Sequence, residues 1–331
     1  MSGPVTHGID PPWPGDAASA PLVPLSHLDE LWFQVAGTRC NLTCHHCFIS
    51  CSPHNDSFGF LSLEEVTRRL EESVPLGVKE YYFTGGEPFL NPEMVDILVL
   101  TLQYGPATVL TNGTVMKDAW LQRLARAEAE SVYSLELRVS IDGFSPESND
   151  PIRGEGTFDR AMRGVRQLVQ FGFLPIITAA RTWPIERDRE VIERFVGVLQ
   201  AAGYERPRLK ILPTLQIGAE ECRTRGYLPG ERITPEMMHG YDVSQLVCEH
   251  SRIVTDRGVH VCPILIESSD SLLGATLEES QVPFAVRHGA CYTCYQFGAL
   301  CSNYSTPPSA SSPASRQSAR GSNDSHQGSR P

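Results

Sequence analysis

Three cysteines, Cys40, Cys44 and Cys47, sit within the ten-residue run RCNLTCHHCF (39–48), with His45 and His46 between the last two. Spacings of three and two residues let one loop wrap three thiolates around a compact metal centre. Soft thiolates select zinc or iron–sulfur clusters. A structural zinc site wants four ligands, usually as paired Cys/His hooks. Here there are three, unevenly spaced, and the only neighbours that could add a fourth are Cys51 and the two histidines. Three thiolates on a four-iron cluster leave one iron open, and an open metal position marks chemistry rather than scaffolding. A second group follows near the other end: Cys248, Cys262, Cys291, Cys294 and Cys301, in VCEHSRIVTDRGVHVC and ACYTCYQFGALC, with Gly258 shortly before Cys262. By ligand type alone this group also fits a zinc knuckle. Cys51 and Cys222 stand apart and read as free thiols.

The elements that must position these groups alternate along the chain. LWFQVA (31–36) has the pattern of a strand, SLEEVTRRLEESV (62–74) of a helix with Ser62 as N-cap and Glu65 completing a capping box. KEYYFT (79–84) and NPEMVDILVLTLQ (91–103) repeat the pair, with Asn91 capping and Pro92 in the first turn. ATVLT (107–111) precedes a helix over about 117–129, LELRVSI (135–141) one over about 157–171, and LPIITAA (174–180) one over about 186–201. RLKILP (208–213) is a sixth strand. Such alternation predicts an α/β protein with a parallel sheet, and six units fit a partial (β/α)6 TIM-like barrel followed by a small cysteine-rich C-terminal extension. In that fold the loops after the strands carry the chemistry. The cysteine run, Gly85-Gly86-Glu87-Pro88, Thr111-Asn112-Gly113 and Ser140-Ile141-Asp142-Gly143 all fall there, although each alone reads as a turn.

Composition bounds the rest. The chain has 331 residues and a formal net charge of −11, without a basic stripe, so no nucleic-acid partner is expected. No apolar run is long enough to span a membrane, and the start lacks the pattern of a signal peptide. A reducing cytoplasm is expected, where ten cysteines are metal ligands or catalytic groups rather than disulfides. Residues 1–28, rich in Pro, Gly and Ala, read as a flexible arm. Residues 305–331 hold almost no large apolar side chain and read as a disordered, dispensable tail.

The cysteine triplet after the first strand, with Gly-Gly-Glu-Pro after the second, resembles the radical S-adenosylmethionine (SAM) superfamily over roughly residues 29–213. The resemblance implies a 4Fe-4S cluster on Cys40, Cys44 and Cys47, with SAM on the fourth iron. Reductive cleavage of SAM would give a 5′-deoxyadenosyl radical that abstracts hydrogen from a substrate, with an electron donor such as flavodoxin or ferredoxin. It further implies that Gly85 and Gly86 expose backbone to the methionine amine, that Glu87 accepts from it, that Ser140 holds the ribose or carboxylate, that Arg153 grips the carboxylate, and that Leu212 packs on the adenine. The family often has a larger aromatic residue before the third cysteine; here it is His46, which can still stack. A fifth-strand glycine pattern common in the family is absent from LPIITAARTW.

Residues 214–304 resemble a SPASM or shortened twitch extension, which implies one auxiliary 4Fe-4S cluster on Cys248, Cys262, Cys291 and Cys294, with Cys301 competing for a place. Related enzymes modify ribosomal peptides, mature sulfatases or cyclise a nucleotide. The double-glycine tail of the cyclases is replaced here by Ser-Arg-Pro. Arg181 and Lys210 are the expected substrate contacts, and the substrate itself, peptide or small metabolite, is not identified. The alternative is a non-catalytic zinc- or cluster-binding interaction protein on the same scaffold.

Overall fold

The computed structural model describes residues 20–298. Cys301, the tail and the first nineteen residues of the arm lie outside the described residues. In chain order the strands are β1 (Leu22–Val23), β2 (Glu30–Gln34), β3 (Glu80–Thr84), β4 (Ala107–Thr111), β5 (Leu135–Ser140), β6 (Ile176–Ala180), β7 (Arg208–Leu212), β8 (Ser251–Thr255), β9 (Gly258–His260), β10 (Leu272–Gly274) and β11 (Phe284–Ala285). The helices are α1 (Leu63–Ser73), α2 (Met94–Thr101), α3 (Asp118–Glu130), α4 (Pro146–Arg153), α5 (Thr157–Gln170), α6 (Asp188–Ala201), α7 (Ala219–Arg223) and α8 (Gly289–Phe297).

Strands β2 to β7 lie side by side in sequence order, all parallel, each joined to the next through helix. This is the expected α/β partial barrel, and it is not closed. Side chains alternate across the strands. Trp32 stacks on Tyr82 at 4.3 Å on the inner face of β2 and β3, while Phe33 stacks on Phe83 at 5.3 Å on the other. The latter pair belongs to the main core, which also takes Val66 and Leu70 of α1 and Val165 and Leu168 of α5.

The C-terminal segment does more than append a lobe. Strand β8 pairs parallel with β2, Glu30 opposite Ser251, and continues antiparallel through β9 to β10, so nine of the described strands form one sheet. β2 is therefore flanked on both sides and wholly buried. The arm reading does not hold for its last residues. Leu22–Val23 pairs antiparallel with β11, and Val23 is fully buried in a second apolar cluster around Cys248, Cys262, Cys291 and Cys294. A short apolar stretch gains a place in such a cluster that its own Pro-rich surroundings do not announce.

Two cap assignments change. Ser62 accepts from the Glu65 N–H, but the Glu65 carboxylate turns to Arg68 and Arg69 instead of closing the box. α2 begins at Met94 rather than at Asn91. The Asn91 side chain, buried, donates at 2.8 Å to the carbonyls of both Val35 and Leu61, tying the end of β2 to the loop before α1. Asn91→Ala strands both carbonyls and should lower stability by about 2–3 kcal/mol, read as a lower urea midpoint at unchanged slope. An unchanged midpoint would mean that water replaces the amide without loss. No helix among the described residues is long and apolar enough to cross a membrane.

Candidate active site and a second thiol cavity

A cavity of about 230 Å³ opens at the carboxyl ends of the parallel strands. Every motif expected there contributes. Cys40, Cys44 and Cys47 come from the loop after β2, Gly85 and Gly86 from the loop after β3, Thr111 and Asn112 from the end of β4, Ser140 from β5, Thr178 and Ala180 from β6, and Lys210 and Leu212 from β7. His46 and Arg153 complete the wall.

The cysteine loop is pinned at both ends. Cys40 N–H donates to Ser52 at 3.1 Å, and Glu87 N–H donates to the Arg39 carbonyl at 3.0 Å. A Cβ on Gly86 would stand 2.0 Å from that same carbonyl oxygen, so only glycine lets the two loops lie together. The backbone N–H of Leu42 donates to Cys40 Sγ at 3.4 Å, and that of Cys51 to Cys47 Sγ at 3.3 Å. Burial pushes Cys40 up to about 12 and Cys44 up to about 11, the latter against the pull of Arg153. Cys47 is instead held down, first by hydrogen bonding from Cys51, whose own thiol is raised in exchange. Cys51 is thus no isolated thiol. It has no disulfide partner, but it packs against Cys47 on the same wall. Cys222 is exposed on α7, as its isolation in the sequence implied.

Glu87 stands behind this wall rather than on it. Its carboxylate is fully buried and accepts from Phe89 N–H (3.1 Å), the Thr111 hydroxyl (2.7 Å) and Asn112 N–H (2.7 Å). Burial pushes it up to about 6 despite these bonds. Glu87 therefore splices the loop after β3 to the loop after β4, and Asn112 in turn reaches Cys40 Sγ at 3.8 Å and Asn41 Oδ1 at 2.8 Å.

Asp142, named in the sequence only as part of a strand-end motif, has a role that sequence reasoning missed. It ends the Ser-Ile-Asp run, is 1% exposed, and gathers three groups. His46 Nε2 lies 2.7 Å and Arg153 Nε 2.6 Å from Oδ2, and Ala180 N–H donates to Oδ1 at 2.7 Å. Arg153 first, then His46, hold its carboxyl far below the usual range against the cost of burial. His46 and Arg153 are thus clamped to a shared carboxylate. An acidic side chain at a strand end, next to a glycine, was the available signal. Ser140 lies 3.2 Å from the Thr178 hydroxyl. Arg181 is not on the wall; its guanidinium is taken by Asp188 at 2.9 and 3.1 Å. Lys210 is on the wall.

Cys248, Cys262, Cys291 and Cys294 line a second cavity. Burial raises Cys248 to about 12 and Cys262 to about 11, and Cys291 well above its usual value. Among the described residues, no group of three or more His, Cys, Asp or Glu converges closely enough to hold a single metal ion.

Residues 35–195 match the family model described as the Radical SAM superfamily. The chain is 30% identical over 136 residues to the antilisterial bacteriocin subtilosin biosynthesis protein AlbA of Bacillus subtilis, over 40% of this chain and 29% of that protein. It is 26% identical over 213 residues to a GTP 3′,8-cyclase of Picosynechococcus sp., over 59% of each. The chain thus spans between 29% and 59% of the length of these curated relatives. Among solved structures, SuiB of Streptococcus suis bound to the precursor peptide SuiA superposes with a TM-score of 0.58 at 15% identity, over 78% of this chain and 64% of that one. At that identity the likeness is one of fold.

Proposed function

The chain belongs to the radical SAM superfamily, and from that premise we propose that it cleaves SAM reductively in the first cavity and uses the resulting radical to take a hydrogen atom from a substrate. The observation that carries this reading is the placement of Cys40, Cys44 and Cys47 on one wall of a cavity whose other walls are polar loops from successive parallel strands. When bound, a 4Fe-4S cluster and SAM supply the 5′-deoxyadenosyl radical; the protein's share is to bind, orient and exclude water. The three thiols are the ligand set. Leu42 and Cys51 N–H groups direct the sulfurs of Cys40 and Cys47. Arg153 and His46, fixed by Asp142, offer a cationic guanidinium and a polar ring to the carboxylate and the base or ribose of SAM. Gly85, Gly86, Ser140 and Leu212 line the remaining wall. Cys248, Cys262, Cys291 and Cys294 hold an auxiliary cluster in the C-terminal extension. A reducing compartment and a flavodoxin- or ferredoxin-type donor follow from the need for a low-potential electron. The substrate, a peptide or small metabolite, is met at the cavity mouth, where Lys210 stands. A peptide is supported by the kinship with a bacteriocin-biosynthesis protein and the fold shared with a peptide-bound enzyme.

Anaerobic reconstitution tests the reading. About eight iron and eight sulfide per chain, with 5′-deoxyadenosine formed from SAM and a reductant, is the expected result. Stoichiometric zinc without sulfide would sink it in favour of a metal-binding scaffold.

A second measurement concerns Glu87. As the splice between two wall loops it acts on SAM indirectly. Glu87→Gln removes the charge that strengthens its bonds to Thr111 and Asn112, an effect of about 1.5–3 kcal/mol. SAM affinity should fall roughly ten- to a hundred-fold while iron content stays constant. Equal affinity in mutant and wild type would show that the wall holds without Glu87.

A further inference from the structure

The first cavity carries a charge bias opposite to that of the whole chain. The protein has a formal net charge of −11. Yet among the described residues no aspartate or glutamate lines the cavity, while Arg138, Arg153 and Lys210 do. Glu87 and Asp142 stand behind the wall, each engaged by its own donors. A cleft lined by one sign of charge concentrates ligands of the other.

Strand register sorts the three cations. Ser140 of β5 pairs with Thr178 of β6, and Thr178 with Lys210 of β7, so the three form one row across the sheet. All three line the cavity, and the two hydroxyls lie 3.2 Å apart. Arg138 also lines the cavity, two residues earlier on β5 and so about 7 Å further below its mouth. Its guanidinium packs 5.5 Å from the centre of the Tyr82 ring, and its Nε donates to Glu136 at 3.0 Å. Glu136, which also takes Arg208 at 2.7 Å, lies off the wall and holds Arg138 from behind. Arg153 belongs to the cysteine side, since it shares Asp142 with His46.

We propose that the substrate of this cavity is an anion, whose carboxylate or phosphate oxygens are taken by Lys210, Thr178 and Arg138. The proposal rests on the reading of this cavity as the radical site and adds the class of molecule that enters it. Lys210 supplies a point charge, Thr178 a hydroxyl donor and Arg138 a cationic floor. A cationic substrate would meet like charge from two strands.

The test uses full-length protein, reconstituted anaerobically and already shown to form 5′-deoxyadenosine. Binding of glutarate, inorganic phosphate and the neutral glutaramide is measured by calorimetry, with and without saturating SAM. At least one anion should bind the SAM-loaded protein, and glutaramide should not. The tighter of the two anions tells carboxylate from phosphate. Lys210→Gln should weaken that anion roughly ten- to a hundred-fold, while Lys210→Arg, which keeps the charge, should retain it. Thr178→Val, close in shape, should weaken it roughly three- to tenfold, and serves also if Lys210→Gln does not fold. Arg181→Gln, a cation removed off the wall, should leave it unaltered. Equal binding of glutarate and glutaramide, or no anion binding, would overturn the proposal. So would unchanged affinity in the Lys210→Gln and Thr178→Val variants. An anion that binds only without SAM would also overturn it, and would give these cations to SAM itself. A starting protein that forms no 5′-deoxyadenosine would instead overturn the radical reading beneath it.

Discussion

Replacing Cys40, Cys44 and Cys47 together with alanine should abolish SAM cleavage outright, leaving the absorbance of the C-terminal centre in place. The three thiols share one loop and one cavity wall, and a cluster needs all of them to keep its geometry. Groups that act as a unit give losses that do not add, so single replacements should each approach the triple. Comparing 5′-deoxyadenosine formation in the four variants with wild type reads this directly. Deoxyadenosine at the wild-type rate in the triple variant would remove the loop from the chemistry. A triple variant without the C-terminal absorbance would overturn the auxiliary-cluster reading.

Asp142→Ala should be the most destabilising single change near the site. It leaves the Arg153 guanidinium buried without its carboxylate, frees His46, and strands the Ala180 N–H. Breaking a buried pair from one side costs about 3–5 kcal/mol. The urea midpoint should fall accordingly, and Asp142→Asn, which keeps an acceptor for Ala180, should fall less. The wild-type pH dependence carries the same signature. A carboxyl held below its unfolded value of 3.8 stabilises the fold above that pH and loses its contribution as the solution is acidified through it. The Asn variant should therefore lose stability less steeply than wild type on acidification below pH 4. Parallel acid profiles would mean that Arg153 and His46 find other partners when Asp142 is gone.

The parts of this architecture that local sequence records are those set by local physics. Periodicity marks the six parallel strands and most helices within a few residues, because amphipathic faces must meet one core. α4 escapes because Pro151 lies inside it, and Asn91 misleads because a residue well suited to cap a helix instead ties two loops. Both cysteine groups stand out in the sequence, and the structure gathers each at its own cavity. What local sequence does not record are pairings made across the chain. Asp142 becomes the anchor of His46 and Arg153 only when the ends of β5 and α4 and the loop after β2 converge. Arg181 reads as a cavity cation until Asp188 claims it. Cys51 reads as isolated until the loop turns it back on Cys47.

The pairing of β2 with β8 sets a schedule for synthesis. The strand that leads into the cysteine loop emerges early, yet one of its two hydrogen-bonding partners lies more than two hundred residues downstream. At ribosomal rates of 5–20 residues per second, roughly 10 to 45 seconds pass before Ser251–Thr255 is available. Throughout that interval one side of β2 is an unpaired, apolar strand edge, the kind that recruits stray strands. Such long-range closure is also slow in its own right, because the loop entropy is lost before the contact is gained. The nascent chain thus carries three thiols on an unfinished sheet, and the loop that holds them rests on a strand that is still half dressed.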